Sequence, residues 1–145
     1  MATDNGTSIR YTDSLDEIDA GQLDGGFFAG WPNPPSPENH LRMLRGSGHV
    51  WLAIDTGSGK VVGFVSAISD GVLAAYIPLL EVLRNYQHDG IGGELMHRML
   101  ETLSGIYMID LLCDEELQPW YERLGMRRAT GMLVRNYAAQ SGSDS

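Results

Sequence analysis

Tyr86-Gln87-His88-Asp89-Gly90-Ile91-Gly92-Gly93-Glu94-Leu95 lies between an apolar, strand-like run at residues 74–83 and a segment of helical periodicity at 90–104. Glycines 90, 92 and 93 leave bare backbone where that helix begins, and a helix start carries unpaired N–H groups with a partial positive charge. Such a turn is either an ordinary strand-to-helix connection or a seat for phosphate oxygens. Two familiar glycine patterns fail against the letters. A dinucleotide fingerprint needs a third glycine where Leu95 stands, and a P-loop needs Gly-Lys-Ser/Thr, which the chain lacks.

Working outward, Gln87, Gly90 and Gly92 spell Gln-x-x-Gly-x-Gly in a strand-loop-helix setting. Here the chain resembles the GCN5-related N-acetyltransferase (GNAT) family, which carries Gln/Arg-x-x-Gly-x-Gly/Ala at this place. Downstream, Cys113-Asp114-Glu115-Glu116-Leu117-Gln118-Pro119-Trp120-Tyr121-Glu122-Arg123-Leu124-Gly125-Met126 is similar to that family's Asn-x-x-Ala-x-x-Phe-Tyr-x-x-Leu-Gly-Phe segment. The resemblance spans about residues 50–137. It implies an α/β (α+β) acyl-CoA N-acyltransferase-like fold: a mixed, mostly antiparallel sheet with helices on both faces and a central βαβ cofactor unit.

The resemblance also implies a reaction. Acetyl-CoA is the implied cosubstrate, its pyrophosphate on Gln87, His88, Asp89, Gly90, Ile91, Gly92 and Gly93, its pantetheine arm beside the backbone of Val82 and Leu83. Asp89 departs from the glycine or basic residue common at its position, and Asp114 stands where the family often has asparagine, placed to orient cofactor or substrate. Tyr121 matches the tyrosine that serves as general acid in many members; as a bland alternative it is a core residue packed with Trp120. Glu81, the one charge in residues 74–83, is the candidate base, or else it pairs with Arg84. The acceptor is a primary amine, on a small molecule or a protein. A non-catalytic acyl-CoA sensor or partner-binding module of the same fold is the alternative. Members are often dimers, which leaves a homodimer open.

At 145 residues with 43% hydrophobic content the chain closes one core, so a single domain is expected over 1–137 with a mobile tail at 138–145. A net charge of −9 argues against a nucleic-acid partner, which needs clustered Lys and Arg. Six acids lie between positions 4 and 24 against one arginine, a field that attracts cationic amines or simply keeps the protein soluble. No apolar run reaches membrane-spanning length and residues 1–10 are polar, so a soluble, cytoplasmic protein without a membrane partner is expected. The single cysteine, Cys113, reads as an inert strand thiol. Histidines at 40, 49, 88 and 97 lack metal-ligand spacing, so no metal is expected.

The remaining elements follow from local chemistry. A strand is expected at 8–11, then a helix begun by Ser14, Asp16 and Glu17 with Leu15, Ile18 and Leu23 inward. The proline-rich stretch 25–37 allows neither helix nor central strand, and its Phe27, Phe28 and Trp31 either plug the core or wall an acceptor pocket. A second helix at 38–45, capped by Ser36, precedes antiparallel strands at 50–55, 60–69 and 74–83. After the helix at 90–104 come a parallel strand at 107–113, a short helix at 117–124, and a closing strand pair at 126–130 and 132–137.

Overall fold

The computed structural model describes residues 8–143. Five strands stand side by side in chain order: β1 (Ile9–Thr12), β2 (His49–Asp55), β3 (Val61–Ser69), β4 (Ala74–Val82) and β5 (Met108–Asp110). The first four pair antiparallel and β5 joins parallel to β4, which demands a crossover; helix α2 (Ile91–Thr102) supplies it. Helix α1 (Pro37–Gly46) packs on one face of the sheet, and α2 with the short α3 (Gln118–Glu122) on the other. The expected mixed sheet with helices on both faces and a βαβ unit is therefore present.

Helix α2 buries Leu95, Met96 and Met99 completely, the spacing that a 3.6-residue repeat turns to one side. It lies close on β3 because position 63 is glycine. A Cβ there would come within 3.1 Å of Leu95 and 3.2 Å of Ile91. On the opposite face, Ser36 caps α1 by accepting the Asn39 amide, with Pro37 in the first turn.

At the centre of the α1 face His40 is 1% exposed, with ring centroids of Phe64, Phe28 and Phe27 at 4.5, 4.9 and 5.2 Å. Its Nε2 has no hydrogen-bond partner among the described residues, and burial pulls its pKa from 6.5 down to about 4. The unfolded chain therefore binds a proton that the folded chain refuses. Stability contributed by neutral His40 is full above pH 6.5 and is lost as pH falls toward about 4. Urea melts at pH 7 and pH 4 should show wild type losing about 3 kcal/mol more than His40→Leu over that range.

Three expectations change. No helix forms over 14–24; Thr12 and Ser14 hydroxyls and the Asp19 carboxylate capture backbone amides instead, leaving one 3-10 turn, Ala20–Leu23. Ile18 and Leu23 are still buried. Strand β5 is three residues long rather than spanning 107–113, so residues 126–137 find no long edge to pair with and form no strand. Met132 and Val134 are exposed, while the segment runs along Leu112, where a Cβ on Gly131 would sit 2.6 Å from that side chain. Beyond it Gln140 accepts the Asn33 amide, and Asn39 donates to Ser141 O and Ser143 Oγ.

Candidate functional site

The site begins with a defect in the sheet. Between the pairs Ser66↔Leu79 and Ile68↔Tyr76, two residues of β4, Ile77 and Pro78, face Ala67 alone. Such a bulge bends its strand, and proline, lacking an N–H, is tolerated there. Pairing of β4 with β5 ends at Tyr76↔Asp110, so the two parallel strands part beyond this point. The gap opens into a cleft of about 1320 Å³, with β4 on one side and residues 111–114 on the other. A volume of that order suits an extended ligand.

Strand alternation decides which backbone groups face the gap. Leu83 spends its amide on Val62 O at 2.8 Å, so Val82 and Leu80, one and three residues earlier, turn their N–H and C=O groups into the cleft. The Val82 carbonyl accepts from Gln87 Nε2 at 3.0 Å, which fixes the glutamine of the glycine motif against the strand end. Leu83 also lines the cleft, but its amide is spent within the sheet and is not free for a ligand.

At the far end of β4 the chain enters α2 through two left-handed residues, His88 at φ +74° and Gly90 at +80°. Neither a side chain nor Asp89 caps the helix. Among the described residues the amides of Ile91, Gly92 and Gly93 have no acceptor, while Glu94 N bonds to Gly90 O. Glycine in a helix costs about 1 kcal/mol relative to alanine, so consecutive glycines need a reason. The protein's own packing gives none. A Cβ on Gly92 would make ordinary contact at 3.6 Å with Trp120, and one on Gly93 would meet nothing within 4 Å. Three uncapped amides beside open space fit an external anion with several oxygens. Ile91 is 3% exposed, so only its amide can take part.

Glu81 lines the cleft, half-buried, and accepts the Phe28 amide on Oε1 at 2.9 Å. Burial raises its pKa above the ordinary 4.5, opposed by that hydrogen bond. No ion pair joins it to Arg84 among the described residues, so the pairing alternative falls away. Tyr121 lines the same cleft in edge contact with Trp120, centroids 4.8 Å apart. Burial, with the neighbouring Cys113 thiol, pushes its pKa up to about 12. Cys113 is half-buried in the cleft wall beyond β5; burial and Asp114 raise its pKa, so it stays a thiol at neutral pH.

The cleft thus gathers Trp31, Glu81, Val82, Leu83, Gln87, Asp114 and Tyr121. Phe27 and Phe28 do not line it; at 8% and 3% exposure they belong to the core around Phe64, while Trp31 of the same segment lines the cleft, so the segment both plugs the core and contributes to the cleft wall. His88, Asp89 and the glycines sit at the α2 entrance rather than in the cleft wall. Sequence reasoning missed Leu80, whose cleft-facing backbone follows from β-sheet parity, and Tyr86, whose hydroxyl donates to Asp55 Oδ2 at 2.6 Å and ties the loop after β4 to the end of β2. Among the described residues no cluster of three or more His, Cys, Asp or Glu is placed to hold a metal, and no helix is long and apolar enough to cross a membrane.

A sheet parted beside a glycine-opened helix defines an acyltransferase-type fold, and comparison with known proteins agrees. The acetyltransferase (GNAT) domain family model matches residues 46–127, more than half of the chain. The chain belongs to the GNAT acetyltransferase family. It is similar to a crystal structure of a candidate acetyltransferase from Deinococcus radiodurans R1, 47% identical with a TM-score of 0.90 over 94% of each chain. A GNAT family acetyltransferase from Streptococcus pneumoniae TIGR4 is 27% identical, TM-score 0.69, over 90% of this chain and 98% of that one. The curated GCN5-related N-acetyltransferase 3, chloroplastic, of Arabidopsis thaliana is 39% identical over 76 residues; the match covers 51% of this chain and 32% of that protein's length.

Proposed function

We propose that the chain is an N-acetyltransferase that moves an acetyl group from acetyl-CoA to a primary amine, on a small molecule or a protein, by direct attack in a ternary complex. One observation carries this reading: the parted edge of β4 leads from Glu81 straight to three uncapped amides at the start of α2. The cleft-facing backbone of Leu80 and Val82 would pair with the amides of the pantetheine arm as an added strand does. The amides of Ile91, Gly92 and Gly93 would hold the diphosphate, with His88, Asp89 and Gly90 shaping the approach. Trp31 and Asp114 complete the walls.

In the transfer, Glu81 takes one proton from the ammonium form of the acceptor, the freed nitrogen lone pair bonds to the thioester carbonyl carbon, the C–S bond breaks, and sulfur leaves as thiolate, which collects the second nitrogen proton to become free thiol. An alkylammonium has a pKa of about 10, like Lys, so the base matters, and burial of Glu81 narrows the gap between them. Tyr121 has a subtler part. With a pKa of about 12 it is neutral at any working pH, but full proton transfer to an alkyl thiolate of pKa about 8.5 is unfavourable by roughly three powers of ten. We therefore assign Tyr121 as the hydrogen-bond donor that steadies the departing sulfur. We also propose that the enzyme works in the cytoplasm, as a monomer or a homodimer.

Free-thiol release from acetyl-CoA across a panel of primary amines tests this. Thiol should appear only when an acceptor amine is present, without acetylation of Cys113 in its absence. A panel silent throughout, from a protein that binds no acetyl-CoA, defeats the reading; binding without turnover favours a sensor.

A further inference from the structure

Phe28 has a backbone that bulky residues avoid, at φ +64°. Its neighbours Gly26 and Gly30 share the left-handed region, at +108° and +87°, but there glycine removes the strain. Phe28 cannot relax. Its ring is 3% exposed, with centroids of Trp31 and His40 each at 4.9 Å and Phe64 at 6.1 Å, and its carbonyl accepts the Trp31 amide at 3.1 Å. Strained residues held this firmly cluster at functional sites. What the strained backbone does here is visible: it turns the Phe28 N–H onto Glu81 Oε1, 53 positions away in sequence, at 2.9 Å.

We propose that Phe28 is a positioning residue for Glu81: its amide, locked by the buried ring, fixes one carboxylate oxygen so that the other faces the acceptor amine. The proposal rests on the acetyl-transfer reading and deepens it. Among the described residues Glu81 Oε2 has no hydrogen-bond partner, so it is available to take the proton. The Phe28 amide is also the one group that opposes the effect of burial on Glu81. Asp24 and Lys60, which share the cleft, are paired with each other at 2.7 Å; Arg84, Asp114 and Arg135 line it without shifting Glu81, and His40 lies behind the Phe28 ring, held neutral by burial.

Replacing the Phe28 amide by an ester through semisynthesis removes the N–H and leaves the side chain. The acid limb of the kcat/KM profile for the acceptor should move to higher pH by about one unit, with KM for acetyl-CoA unchanged, because hydrogen bonds to charged groups are worth that much. The carboxyl ¹³C titration of Glu81 should move alongside it. A second variant, Phe28→Gly, keeps the amide and takes the backbone angle without strain, but frees the loop; kcat should fall at least tenfold at unchanged KM for acetyl-CoA. A folded ester variant with wild-type titration and pH profile overturns the proposal, and should the ester fail to fold, an undiminished kcat in Phe28→Gly does the same. The two readings separate cleanly. A wild-type protein inert toward every amine removes the catalytic role, while the carboxyl titration still reports whether the Phe28 amide holds Glu81.

Discussion

Glu81→Gln should lower kcat/KM for the acceptor by about a hundredfold to ten-thousandfold, the range a positioned general base commonly supplies. The substitution is nearly isosteric, and the amide oxygen of Gln can still accept the Phe28 N–H at the place where Oε1 now lies. Packing, melting temperature and acetyl-CoA affinity should therefore stay close to wild type, and only proton removal from the amine should suffer. The pH profile carries a second signature. Glu81 must be ionised to act, and burial raises its pKa above 4.5, so activity should fall as pH drops through that raised value. Steady-state kinetics from pH 5 to 9 on both proteins measures the effect. An acid limb that persists unchanged in the Gln variant would assign it to another group.

The second large effect separates stability from binding. Gly93→Asp adds a side chain where a Cβ meets nothing within 4 Å, and places a carboxylate in the first turn of a helix that has no side-chain cap. Leaving glycine and complementing the helix dipole should together stabilise the fold by about 1 kcal/mol. If these amides hold phosphate as proposed, the same carboxylate would occupy them and repel it, and loss of charge-assisted hydrogen bonds should weaken acetyl-CoA binding on the order of a hundredfold. Raised stability with lost affinity is an unusual pairing. A simple packing role for Gly93 would give both changes the same sign; urea melts and binding isotherms on one preparation distinguish the two.

How far the sequence carried these conclusions depended on how local the physics is. The β4–α2–β5 unit was legible because strand, glycines and periodic helix follow one another within forty residues, each element specified by its own letters. Glu81 stood out as a lone charge in an apolar strand. The Phe28 amide that holds it could not be read, since a backbone donor leaves no mark in sequence and arrives from 53 positions away. Residues 14–24 look like a helix start, yet the hydroxyls and carboxylates that cap helices also satisfy amides in turns, and there the turns prevail. Residues 132–137 have strand-like letters but no neighbour, because β5 ends at Asp110, and a strand exists only with a partner. Phe27 and Phe28 were undecided for a similar reason: an aromatic beside a cleft and one beneath it look alike until the strand that bounds both is in place.

Calorimetric titration of acetyl-CoA against S-acetylpantetheine, which has the same thioester and amide arm but lacks the diphosphate and the 3′-phosphoadenosine beyond it, run on wild type and on Gly93→Asp, tests most directly whether the amides at the start of α2 bind the cosubstrate. Acetyl-CoA should bind wild type one to one, the truncated thioester should bind it at least a hundredfold more weakly, and Gly93→Asp should narrow that gap. Equal affinities in wild type, a gap unchanged in Gly93→Asp, or no heat from acetyl-CoA at saturating concentration, would mean that Ile91, Gly92 and Gly93 hold no phosphate.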